Sequence, residues 1–222
     1  MQQQKSKKIF FYFFLFLILG SITNTGLNKS KISFLKNVNV SGLNEKDNLI
    51  ISNKIKNLKL QNIFFININE IKNIIEKNTT IENYKILKIY PSSLDIKIKK
   101  TNFLAQISDK GKNYLIGSNG KLSENIELNN KLPFVFGRPG VQDFLNFKKI
   151  IDQSQFSYSE IKNLYFFPSK RWDIELKNKI IIKLPIEDIK YSLDHSYKFY
   201  KENNFLKFRV IDARIKNQII IQ

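Results

Sequence analysis

The chain reads as an α+β protein, and three observations carry that reading. After the N-terminal segment, strand and helix patterns follow in the order strand, helix, helix, strand, strand within about 70 residues, the length of one small domain. From Phe103 the pattern changes to many short strands with turn signals, as in a large antiparallel sheet. Two helical stripes interrupt those strands, which makes the second part mixed α/β rather than all-β.

Ahead of both parts, Lys5, Lys7 and Lys8 precede the uncharged run Ile9 to Ile22. A basic start followed by an apolar block is a membrane-targeting pattern. Extended through Thr23, Asn24, Thr25 and Gly26 to Leu27 it reaches 19 residues. At 1.5 Å per residue that is about 28 Å, close to the hydrocarbon thickness of a bilayer. No A-x-A cleavage site follows, so the expectation is an uncleaved transmembrane helix over 9–27 with residues 1–8 as a cytoplasmic tail and the rest of the chain outside the cytoplasm.

Of 222 residues none is cysteine, so neither disulfides nor thiolate metal sites are available. The net charge of +18 suggests nucleic acid or anionic lipid at first sight. The lysines, however, come with abundant isoleucine and asparagine, all from A/T-rich codons, and they are scattered in short runs such as Lys97, Lys99 and Lys100. Solvated faces explain them better than a nucleic-acid patch.

The first strand is Lys36 to Ser41, where Val38 and Val40 alternate with polar residues up to Gly42. Asn44 then offers an N-cap with Asp47 three residues on, followed by Ile51, Ile55 and Leu58 on one helical face. Asn69 is the expected cap of a second helix, with Glu70 in its first turn and Ile71, Ile74 and Ile75 facing inward. Two strands close the unit, Ile81 to Tyr90 and Leu94 to Lys100, joined by Pro91-Ser92-Ser93. Two helices on one face of a three-stranded sheet would bury these stripes.

In the second part, Tyr114 to Ile116 leads into a Ser118-Asn119-Gly120 turn, where Asn-Gly supplies the left-handed backbone of a tight hairpin. Phe134 to Phe136 ends at Gly137, and a helix carrying Phe144, Phe147 and Ile151 follows Pro139-Gly140. Trp172 to Leu176 and Ile180 to Leu184 form a hairpin around Lys177-Asn178-Lys179. Pro185 opens a last helix, with Glu187 and Asp188 in its first turn and Ile186, Ile189, Leu193, Tyr197 and Tyr200 at helical spacing. A strand pair, Phe208 to Ile215 and Ile219 to Gln222, finishes the chain.

No catalytic constellation emerges. His195 is the sole histidine and reads as a partly exposed helix residue, and the carboxylate pairs Asp143/Asp152 and Glu187/Asp188 fall at helix starts and surfaces. No Gly-rich phosphate loop follows a strand, so neither enzyme nor cofactor is expected. The apolar strand Ile219-Ile220-Ile221 is different: at a sheet edge it would offer unpaired N–H and C=O groups with no lysine or proline to block pairing. Equally, these isoleucines could pair inside the sheet and pack on the final helix.

Taken in order, these segments resemble the bacterial cell-division family FtsQ, called DivIB in Gram-positive species. The likeness rests on Val38-Asn39-Val40-Ser41-Gly42, Asn62-Ile63-Phe64-Phe65-Ile66, Tyr90-Pro91-Ser92-Ser93-Leu94 and Ala105, then on Leu132 to Gly137, Arg171 to Leu176, Lys183-Leu184-Pro185 and Val210-Ile211-Asp212-Ala213-Arg214. It departs from the family at Phe103, where proline is usual, at Ala213, where leucine is usual, and at Gln218, often glycine. The resemblance implies a POTRA (polypeptide-transport-associated) domain of βααββ order over 33–101 and an FtsQ-type β domain over 102–222. It further implies a non-enzymatic, single-pass type II scaffold of the inner membrane, its C-terminal domain periplasmic and located at the division septum. The partners implied are FtsB and FtsL, membrane-anchored coiled-coil proteins of the divisome, with FtsB adding a strand beside the terminal hairpin. By position, Ile215, Asn217, Gln218, Ile219 and Ile221 would lie along that strand, and Arg171 would meet an acidic group. Arg171 could instead be a surface cation stacked on an aromatic face. Two other classes stay open at this point, a POTRA-containing envelope transport or assembly factor and a secreted basic polymer-binding protein.

Overall fold

The computed structural model describes residues 3–22, 34–58, 63–124, 131–203 and 208–222. The first helix, α1, runs Gln3–Ile22. It overturns the transmembrane expectation, because no helix among the described residues is long and apolar enough to cross a membrane. The reason is local: Gln3, Gln4, Lys5, Ser6, Lys7 and Lys8 occupy the first turns of a 20-residue helix. Only Ile9 to Ile22 is left as an apolar stretch, about 21 Å at 1.5 Å per residue, well short of a bilayer's hydrocarbon core. Residues 1–2, the extension Thr23 to Leu27, the POTRA start at Ser33 and Asn62 all lie outside the described residues. The single-pass inner-membrane topology, with a cytoplasmic N-terminus and a periplasmic C-terminal domain at the septum, therefore loses the helix on which it depended.

The chain divides into two compact units, Met1–Ile75 with Lys85–Lys97, and Glu76–Tyr84 with Ile98–Gln222. The expected βααββ order is observed: β1 (Asn37–Ser41), α2 (Glu45–Lys56), α3 (Ile68–Glu76), β2 (Ile81–Ile89) and β3 (Ser93–Lys100), all of it in the first unit except residues 76–84 and 98–100. These strands form a sheet of order β1-β3-β2, with β1 parallel to β3 from Asn37↔Ser93 to Ser41↔Lys97. Asn44 caps α2 as its position suggested, its side-chain oxygen accepting from the Asp47 N–H at 2.8 Å. The cap of α3 lies two residues earlier than expected: Asn67, not Asn69, accepts the Asn69 N–H at 3.1 Å and donates to Glu70. The stripes are buried at Ile51, Ile55, Ile71 and Ile75, opposite Val38, Leu94 and Ile96 on the sheet. Ser52 ties α2 to β1 through the Val38 carbonyl at 2.9 Å.

The second unit is built on β4 (Phe103–Asp109), β5 (Lys112–Gly117), β6 (Leu122–Glu124), β7 (Phe134–Phe136), α4 (Val141–Asp152), β8 (Ile161–Phe166), β9 (Trp172–Leu176), β10 (Ile181–Lys183), α5 (Ile189–Glu202), β11 (Val210–Asp212) and β12 (Ile220–Ile221). Its nine strands run in the order β12-β11-β10-β9-β8-β7-β4-β5-β6. The sheet is mixed, which corrects the expected antiparallel one: β7 is parallel to both β4 and β8, and β10 is parallel to β11. The cause is connectivity. With α4 between β7 and β8 and α5 between β10 and β11, each helix carries the chain back along the sheet, so the next strand enters in the same direction. The Asn-Gly turn joins β5 to β6, with Gly120 at φ 73°, and the Asn119 amide also donates to the Thr79 and Ile81 carbonyls at 2.9 and 2.8 Å.

One face of this sheet carries the core. At matching register, Val135, Leu164, Ile174, Ile182 and Ile211 form an unbroken apolar row across β7, β8, β9, β10 and β11. All five are buried, in one cluster with Phe144, Phe147 and Ile151 of α4 and Leu193 of α5. Trp172 joins them, stacked on Phe147 at 4.5 Å. Phe208 packs against the same cluster, so both aromatics serve the core.

Candidate partner-binding edge

β12 is the last strand of the sheet and pairs only with β11 among the described strands. The buried row of the core continues onto it, because Ile211 faces Ile221, and there it comes into the open: Ile221 is 44% exposed where Ile211 is 0%. On the opposite face a polar row, Tyr165, Asp173, Lys183 and Asp212, ends on Ile220, which is 40% exposed. An apolar side chain is thus left uncovered on each face of the edge strand.

Backbone geometry leaves hydrogen-bonding groups free at the same place. Gln222 N–H donates to the Val210 carbonyl at 3.1 Å and its carbonyl accepts from Val210 N–H at 3.0 Å, so residues 210 and 222 form a hydrogen-bonded pair. In an antiparallel ladder the next pair, Ile211 and Ile221, is then of the non-hydrogen-bonded kind, and the N–H and C=O of Ile221 point away from β11. Nothing on β12 guards this edge with charge or proline.

Around it the surface is unusually apolar. Of the seven exposed large hydrophobic side chains among the described residues of the second unit, five belong to the terminal hairpin or lie at or just before the start of α5: Ile186, Tyr191, Ile215, Ile220 and Ile221. Ile215, Asn217 and Gln218 are exposed in the β11–β12 connection, whereas Ile219 is partly buried against the core. The left-handed residue of that connection is Asn217, at φ 61°, not Gln218, whose N–H closes the turn onto the Ile215 carbonyl at 3.2 Å.

Arg171 stands apart from this group. It enters β9, three strands from the edge, a separation of about 14 Å at the usual strand spacing. Its guanidinium pairs with Asp173 at 3.2 Å and lies 4.2 Å over the ring of Phe167. The aromatic face on which Arg171 stacks is that of Phe167, while Trp172 beside it is buried in the core. Asp173 is buried and also accepts from Leu184 N–H at 3.3 Å. Burial pushes its carboxyl above the usual range, against the pull of Arg171. Asp212 behaves in the opposite way: hydrogen bonds from Arg214 hold its carboxyl below the usual range despite burial. Burial also raises Glu175, but the Tyr165 and Asn163 hydrogen bonds with nearby lysines outweigh it and the net direction is down.

Ile186, Tyr191 and Ile220 were not among the site residues expected from sequence. Ile186 fits the helical spacing of the last stripe, yet α5 begins only at Ile189 after Asp188, so Ile186 stays outside the helix and 57% exposed. His195 is half-buried and stacked against Tyr191. Among the described residues no group of His, Asp or Glu could hold a metal ion.

Comparison with known proteins gives the family. Residues 33–100 match the model of the POTRA domain, FtsQ-type, and residues 105–214 match that of the Cell division protein FtsQ/DivIB, C-terminal. Cell division protein FtsQ of Rickettsia prowazekii is 27% identical over 207 residues, spanning 90% of this chain and 77% of the relative. Cell division protein DivIB of Clostridium acetobutylicum is 33% identical over 92 residues, 40% of this chain and 36% of the relative. The solved major extracytoplasmic domain of DivIB from Geobacillus stearothermophilus aligns with 49% of this chain and 99% of its own, at 11% identity and a TM-score of 0.36, too loose a likeness to bear on the geometry. With both domain models matched in order, the chain belongs to the FtsQ/DivIB family of bacterial cell-division proteins, and its role in the divisome is that of a non-catalytic scaffold.

Proposed function

We propose that this protein recruits an FtsB- and FtsL-type coiled-coil pair to the divisome by accepting a strand from FtsB along β12. The supporting observation is the apolar row that stays buried across β7 to β11 and emerges at Ile221, beside an outward-pointing N–H and C=O. An added strand would extend the hydrogen-bond ladder and cover Ile221 on one face and Ile220 on the other. It follows that the partner strand carries apolar residues on both faces where it crosses β12. Ile215, Asn217 and Gln218 would meet the end of that strand, and Ile219 would back it from the core. Arg171 would be reached only by a partner segment beyond the strand, and an acidic group there would join the Arg171–Asp173 pair.

The test is Ile221→Pro, which deletes the outward donor while the bonds to β11 through residue 222 remain possible. Asn217 is unsuitable for proline, because its φ of 61° lies far from the value the ring imposes. Binding of an FtsB fragment to the purified chain should weaken at least tenfold in Ile221→Pro, about the effect of one lost hydrogen bond in a docked edge, with circular dichroism unchanged. Ile221→Val keeps the donor and should bind like the parent. Undiminished binding by a folded Ile221→Pro chain would rule out recruitment through this edge.

A further inference from the structure

We infer that the start of α5 is a positioning device for the β12 edge: Asp188 and Tyr191 fasten the β11–β12 connection so that the strand is presented ready-made to its partner. For its partner this inference rests on the strand-addition reading above; for its geometry it does not. β12 is two residues long and is held to one neighbour. An edge strand so short, with a ladder on one side only, opens readily unless something else pins it.

Two side-chain bonds do so at consecutive residues. Lys216 Nζ donates to Asp188 Oδ2 at 3.0 Å, and Tyr191 Oη donates to Asn217 Oδ1 at 2.7 Å. Asp188 is the N-cap of α5 and Tyr191 lies in its first turn, so both bonds come from the helix start. The Tyr191 ring is itself steadied, lying within 10° of parallel to His195 at 5.9 Å.

The backbone carries the same mark at both ends of the fastening. Asp188 has φ 52° and Asn217 has φ 61°, both in the left-handed region that residues with a β-carbon disfavour. Asp and Asn tolerate it best, and here each places its side chain in the contact that joins helix to connection. Ordering the edge before the partner arrives removes an entropic cost from binding, and a loosened connection would restore it.

Hydrogen exchange on the full chain tests the fastening without any partner. In the double variant Tyr191→Phe with Asp188→Gly, which keeps the ring and the left-handed backbone and deletes both side-chain bonds, the Val210, Gln218 and Gln222 amides should exchange at least tenfold faster. Amides of β8 to β10 should not change. Asn217→Gly, which keeps the backbone and deletes the acceptor, should behave like Tyr191→Phe alone, and Asn217→Asp should restore protection. Affinity for the FtsB fragment should fall several-fold in the double variant. Unchanged exchange overturns the fastening. Faster exchange with undiminished binding overturns its role in presenting the edge when Ile221→Pro does abolish binding. If Ile221→Pro binds normally, strand addition itself fails, and the exchange data alone decide whether the fastening exists.

Discussion

Asp173 and Asp212 face the same lysine from opposite sides, Lys183 pairing in register with both, yet their carboxyls move in opposite directions. Burial dominates at Asp173, whereas bonds from Arg214 dominate at Asp212. Linkage then fixes the sign of each contribution to stability. Asp212, depressed in the folded state, stabilises above the ordinary aspartate value of about 3.9 and loses that contribution as pH falls through its folded value. Asp173, raised in the folded state, binds its proton earlier than the unfolded chain does, so between about 3.9 and its folded value it gives stability as pH falls. Denaturant melts from pH 6 to pH 3 should therefore show a shallower acid loss for Asp212→Asn than for the parent, and a steeper one for Asp173→Asn. Equal slopes in the three proteins would show that neither carboxyl is perturbed. These two aspartates could not be singled out from sequence, because what separates them is burial and partner choice across three strands. Arg171 was legible only in part as a cation stacked on an aromatic face, since its ring is Phe167 and its acid is Asp173.

At the scale of elements, legibility followed how local the cause was. β9 falls on Trp172–Leu176, the bounds expected for it, and α4 buries Phe144, Phe147 and Ile151 as its stripe required. Asn44 is the cleanest case, a cap set by four consecutive residues. Asn44→Ala removes the acceptor for Asp47 N–H and should cost about 1 kcal/mol in urea melts, with no change in slope. A loss below about 0.3 kcal/mol would mean that water replaces the cap fully. Elements set by distant partners were missed or shifted. β4, β6 and β8 had no clear period of their own, and their strand character comes from pairing in the sheet, β4 and β8 each between two neighbours and β6 against β5. The start of α5 shifted because Asp188 takes a left-handed backbone and holds Lys216 instead of continuing the helix. The helix α1 failed as a membrane span because polar residues that flank the apolar run are part of the same helix. The edge was half legible: Ile219 to Ile221 stood out as unguarded, but only register shows that Ile221 ends the core row.

For the whole molecule the division into two units separates the βααββ core from the proposed partner edge. Ile51, Ile55, Ile71 and Ile75 belong to the first unit, and β12 with α5 belongs to the second. Ile55 is 0% exposed, so Ile55→Asp places an unpaired carboxylate in an apolar interior at a cost of several kcal/mol, comparable to the stability of a small domain. In the full chain this substitution should abolish amide protection in β1, α2 and α3 while leaving β7 to β11 protected. If the edge alone recruits the partner, the same variant should bind the FtsB fragment within twofold of the parent, because neither the core row nor the α5 fastening includes a residue of the first unit. Intact protection in α2 would mean that the Ile55 site relaxes around the charge. Lost binding with the second unit still protected would show that the βααββ unit contributes to recruitment, and the edge would then be one part of a larger surface.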